Sequence, residues 1–133
     1  MKTWYHTHLE DETTSNNSYR KVLYTGQHMQ LVLMSLKPGE EIGLEIHEEN
    51  DQFFRFDAGE GTVIINNTTY QVSDGDAIVI PAGAQHNIIN SSDTEDLKLY
   101  TIYTPPHHQD GINHETKEFA DSHETDFNGV TTE

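Results

Sequence analysis

Cysteine is absent from the 133-residue chain. That excludes a disulfide framework, a thiolate metal site and cysteine nucleophile chemistry. Basic residues are scarce: seven Lys and Arg stand against 23 Asp and Glu, giving a formal charge of −16. Protonating all nine histidines would bring −16 only to −7. A chain this acidic repels phosphate backbones and anionic lipid, so neither nucleic acid nor a membrane is an expected partner. No apolar run approaches the roughly 18 residues that a membrane span needs. The start, Met1–His6, lacks an apolar stretch of signal-peptide kind. One cytoplasmic domain is the expectation.

Helix-forming runs are also scarce before residue 115, and only 33% of residues are hydrophobic. Gly, Asn, Asp and Thr punctuate the chain every 8–12 residues or so, the rhythm of short strands. Strands are predicted at Arg20–Thr25, Met29–Lys37, Glu41–Glu48, Asp51–Asp57, Gly61–Asn66, Thr69–Val72, Ala77–Ile80, Gln85–Asn90 and Leu97–Tyr103. Asn66-Asn67 suits a hairpin turn, because Asn tolerates positive φ. With no crossover helix between them, these strands predict an all-β, antiparallel barrel or jelly roll over residues 20–104. Residues 1–19 read as a loosely held N-terminal arm, pinned by Trp4 and Tyr5. In the tail, 105–133, Phe119, His123 and Phe127 recur every four residues beside Ala120, predicting a short helix laid on the barrel. The polar end of the tail is expected to fray.

Two spaced patterns carry the chemistry. The first runs Gly39, five residues, Glu45, one residue, His47, four residues, Gln52, six residues, Gly59. The second runs Gly75, five residues, Pro81, one residue, Gly83, two residues, His86, three residues, Asn90. Glu45 and His47, two apart on a strand, leave the same face. Together the patterns resemble the two motifs of the cupin superfamily, small jelly-roll β-barrels. The second matches at every position, and the first departs at two.

The resemblance implies one divalent metal held by four motif positions, usually His, His, Glu and His. Here these fall on Glu45, His47, Gln52 and His86. The set still contributes one carboxylate, so the charge facing the ion is unchanged, although an amide oxygen is a weaker donor. Such an N/O set suits Zn, Ni, Fe, Mn or Co. A register shift would instead make Asp51 the ligand. The implied function is a divalent-metal-binding cupin, a small metalloenzyme acting on a small polar molecule by isomerase- or dioxygenase-type chemistry. The alternative is a non-catalytic small-molecule binding or sensing module, since a fold fixes no reaction. No catalytic residue is assigned, beyond Glu45 as a base if it leaves the ion.

Parity fills in the surroundings. With Gln52 and His86 inward, Phe54, Phe56 and Ile88 are expected to line the pocket. Arg55 points outward, as a surface or interface charge. Basic residues near the cavity are few, which argues against a phosphosugar-like anionic substrate. Tyr100 or Tyr103 reaches the cavity, according to register. His107, His108, Asp110 and His114 form a second group, open to reading as a metal set, a lid or a solvated turn. Leu31 and Leu33 oppose Val32, Met34 and Leu36 on one strand, so its second face must be covered by a terminus or a second chain. A homodimer is expected.

Overall fold

The computed structural model describes residues 2–133; Met1, the first residue of the expected arm, lies outside them. A short helix, α1 (Leu9–Ser15), precedes the strands. These are β1 (Arg20–Thr25), β2 (Gln30–Leu36), β3 (Glu45–Ile46), β4 (Asp51–Ala58), β5 (Glu60–Ile65) and β6 (Thr68–Ser73). Then come β7 (Ala77–Ile80), β8 (Gln85–Asn90), β9 (Leu97–Thr104) and β10 (Asn113–His114), followed by the helix α2 (Lys117–Ser122). They form two antiparallel sheets, ordered β10-β1-β2-β9-β4-β7 and β3-β8-β5-β6. The architecture is the jelly roll.

Between the sheets, Val32, Met34 and Leu36 of β2 pack with Phe54 and Phe56 of β4, Val63 of β5, Ile88 of β8 and Leu97 and Leu99 of β9. Asn66, at φ +51, makes the predicted hairpin turn between β5 and β6. Gly59 turns the chain at φ +88, and a Cβ there would lie 2.3 Å from the Asp96 carbonyl oxygen. Only glycine fits so close an approach.

Several expectations are corrected. The segment 41–48 is mostly irregular, with Gly43 at φ +108 and only Glu45–Ile46 in a ladder. The N-terminal arm is not loose: α1 packs on β2, β4 and β9, and Thr13 is fully buried. Lys98 Nζ donates to the Asn16 carbonyl and to Asn17 Oδ1, holding the segment after α1 down. Tyr5 does pack tilted against Tyr24, ring centroids 5.9 Å apart, but Trp4 is exposed and pins nothing. Leu31 and Leu33 are therefore buried within one chain, and that face needs no second copy.

The tail helix is also shorter than its periodicity predicts. Thr116 caps it by accepting from Phe119 N, but Ser122 Oγ bonds back to the Glu118 and Phe119 carbonyls. His123 Nδ1 also contacts the Phe119 carbonyl, and such side chains compete with the next helical bonds. Phe127 falls outside the helix, its N–H donating to the His107 carbonyl. Nor does the end fray: Thr132 N donates to the Thr25 carbonyl at 2.8 Å. Among the described residues no helix is long and apolar enough to cross a membrane.

Candidate metal centre

Pairing of β3 with β8 sets Glu45 directly opposite His86. Cross-strand partners carry their side chains on one face about 5 Å apart, and His47, two residues beyond Glu45, joins them. Gly83 N donates to the His47 carbonyl at 2.9 Å, tying the turn before β8 to the end of β3. One ligand atom from each of Glu45, His47 and His86 lies within 4.8 Å of the others. Donors bound at about 2.0–2.2 Å to one ion stand roughly 3–4 Å apart, so the cluster is close to what an ion requires.

The free lone pairs are specific. His86 Nδ1 meets the Ala84 carbonyl at 3.0 Å. A carbonyl only accepts, so Nδ1 carries the proton and Nε2 is left with its lone pair, the usual arrangement of a ligating histidine. His47 Nε2 is 2.7 Å from Glu45 Oε2, a close imidazole–carboxylate pair. Burial pushes the Glu45 carboxyl upward, but His47, Arg20 and His86 outweigh it and hold it below its ordinary range. Burial depresses His86, which stays neutral near pH 7.

Gln52 faces inward on β4 and is buried. Its Nε2 donates to Thr101 Oγ1 at 3.0 Å, while its Oε1 has no partner. It lies opposite Tyr103, whose ring is 5.7 Å from that of His47. Asp51 is exposed and accepts from Ala82 N, so it points away from the cluster. Parity also places Phe54, Phe56 and Ile88 inward. They fill the core, however, and do not line the open cavity beside the centre; the Phe54 ring stands 6.4 Å from that of His86. Tyr103 is the buried inward tyrosine, and Tyr100 packs with Phe53 at 6.3 Å instead. Arg55 pairs with Asp57 at 3.5 Å, away from the centre.

That cavity, of about 500 Å³, is walled by Arg20, Ile42, Gly43, Glu45, His47, His107 and His108, with Glu124 and Asp126 among its other lining residues. The tail histidines divide. His107 meets His47 at 4.4 Å and stacks on Tyr103 at 5.2 Å, and His108 Nε2 is 3.1 Å from the Tyr103 hydroxyl. His114 sits on β10 opposite Arg20, and Asp110 accepts from Thr132 Oγ1. The reading of the group as a solvated turn therefore fails for His107 and His108, and for His114, which is buried on β10. Sequence reasoning also missed Arg20, because a charged residue opening a strand is ordinarily solvated. Its parity with buried Val22 was the available signal.

The model of the family described as "Cupin domain" matches residues 32–103. The chain is 50% identical over 111 residues to protein YrkC of Bacillus subtilis, covering 79% of this chain and 59% of that one. It thus spans less than two-thirds of that relative. Protein L612 of Acanthamoeba polyphaga mimivirus is 48% identical over 110 residues, covering 80% and 69%. The crystal structure of BH2720 from Bacillus halodurans superposes with a TM-score of 0.87 at 44% identity, covering 90% of this chain and 94% of that one.

Proposed function

Because the chain belongs to the cupin family, we propose that it binds one divalent transition metal through Glu45, His47, Gln52 and His86 and acts as a small metalloenzyme on a small polar molecule. The observation that carries this reading is the convergence of Glu45, His47 and His86, one ligand atom of each within 4.8 Å of the others, with the buried, partnerless Gln52 Oε1 facing inward on β4. Leaving the Gln52 oxygen without a partner is costly, and an ion beside the ionised Glu45 would satisfy it. The ion would supply Lewis-acid polarisation of a substrate oxygen. Tyr103, buried and held far up as the protonated phenol, keeps a hydroxyl against His108 under the centre. His107 walls the open side. Homodimerisation and a cytoplasmic setting belong to the same proposal.

Elemental analysis of chain purified without chelator tests the metal, followed by reloading with Zn, Ni, Fe, Mn or Co. One ion per chain, lost in His47→Ala, is expected. A chain that carries none and takes up none refutes the reading. Oxygen-uptake and isomerisation assays on the loaded protein then separate an enzyme from a binding module.

A further inference from the structure

Arg20 forms no salt bridge among the described residues. It opens β1, is only 5% exposed, and lines the same cavity as Glu45 and His47. Its Nε has no hydrogen-bond partner, and none of the ion pairs includes it. Its guanidinium carbon stands 5.3 Å from the Tyr19 ring centroid. A largely buried guanidinium that opens onto a cavity without a salt bridge has an anion entering that cavity as its natural complement.

The carboxylates nearby do not supply that complement. Glu45 feels the Arg20 charge but is paired with His47 at 2.7 Å and forms no salt bridge with Arg20. Glu124 and Asp126 line the same cavity but are exposed, so water screens them. No second cation assists Arg20 either, since among the described residues no lysine or other arginine lines the cavity.

We propose that Arg20 is an anion-binding residue and that the cavity takes a small organic carboxylate. The planar fork of a guanidinium matches a carboxylate through two parallel hydrogen bonds. A lone guanidinium among Glu45, Glu124 and Asp126 suits a monoanionic head better than a dianionic phosphate. With the carboxylate on Arg20, a neighbouring substrate oxygen faces Glu45, His47 and His86. That second contact rests on the metal reading; the pairing with Arg20 does not.

Calorimetric titration of lactate, lactamide and inorganic phosphate into the metal-loaded and metal-free chain tests this. Lactamide keeps the shape of lactate and loses its charge. Lactate is expected to bind at least about 10-fold more tightly than lactamide or phosphate. Arg20→Gln should weaken lactate by about 10- to 100-fold, the range of a charged hydrogen bond, leaving lactamide and metal content unchanged. Arg20→Lys, which keeps the charge and loses the fork, should weaken lactate by several-fold and serves where Arg20→Gln does not fold. Equal binding of lactate and lactamide, phosphate binding more tightly than lactate, or lactate binding unaltered in both variants overturns the proposal. So does failure of every mono- and dicarboxylate of about two to six carbons to bind. Metal content is measured on the same samples: a chain that takes no metal but binds lactate through Arg20 refutes the metal reading and supports this one.

Discussion

The His47 ring stands 4.4 Å from the His107 ring, edge to face at 68°. A motif residue at the end of β3 is thus braced by a tail residue 60 positions later, and His107 is in turn stacked on Tyr103. His107 lies outside the compact Glu45, His47 and His86 cluster, so its part is to orient the His47 ring. Orienting partners of ligands typically contribute 10-fold or more to metal affinity. Here no hydrogen bond links the rings, and His107→Ala should keep the ion but weaken it by roughly 10-fold or less, read by chelator competition. His47→Ala should abolish uptake. A His107→Ala chain as empty as His47→Ala would make His107 a ligand.

Gln52 gives a sharper expectation. Its free Oε1 is the fourth donor in the proposed set. Gln52→Glu replaces a weak neutral donor with a charged one, so the loaded chain should hold metal more tightly, by roughly 10-fold or more. Without metal, the same change buries a second carboxylate near Glu45 and lowers stability. Thermal melts with and without added Zn should therefore diverge more in Gln52→Glu than in the parent. An unchanged difference would remove Gln52 from the set, and Asp51→Ala, at an exposed residue, should leave the metal in place.

Most strands were legible because their signals are local. Alternation in Gln52, Phe54 and Phe56 placed those side chains inward, and Asn66 marked its own turn. The Glu45, His47 and His86 cluster was legible because motif spacing already encodes which strands pair. Arg20, His107 and His108 were not. His107 and His108 reach the cavity through contacts that span the chain, and neither parity nor composition says where a tail returns, while Arg20 left only its parity with Val22 as a signal. The open cavity escaped too: Phe54, Phe56 and Ile88 were placed on the correct face, but a face filled by packing offers no space.

His108 makes the fold sensitive to acid. It is buried, and burial first, then the Arg20 charge, holds its imidazole well below the ordinary 6.5. The folded state is neutral, whereas the unfolded chain takes up a proton as the pH falls through 6.5. Stability is therefore flat above that point for this residue and is lost below it, by about 1.4 kcal/mol per pH unit until the folded pKa is reached. His86, His107 and His114 are depressed in the same direction. Urea denaturation at pH 7.5 and 5.5 should show the drop. His108→Leu should lessen it, although leaving the Tyr103 hydroxyl without its partner costs about 1–3 kcal/mol at either pH. A slope unchanged in that variant would assign the acid lability to other groups.

Pairing of chains, if it is to occur, must use a surface other than the Leu31 and Leu33 face, since α1 packs on that sheet. β7 ends the six-stranded sheet and exposes Val79 by 70%. An edge strand with a free apolar side chain is a template for joining another strand. Two β7 edges can meet about a two-fold axis, which is the closed arrangement that ordinary homodimers adopt. The charge of −16 on each chain opposes the approach, and salt screens it. Light scattering at physiological salt should give the mass of a dimer, with the dimer fraction falling as salt is removed. Val79→Lys should shift it toward monomer without altering metal content. A parent chain that scatters as a monomer at high micromolar concentration refutes pairing, and a dimer indifferent to Val79→Lys moves the interface away from β7.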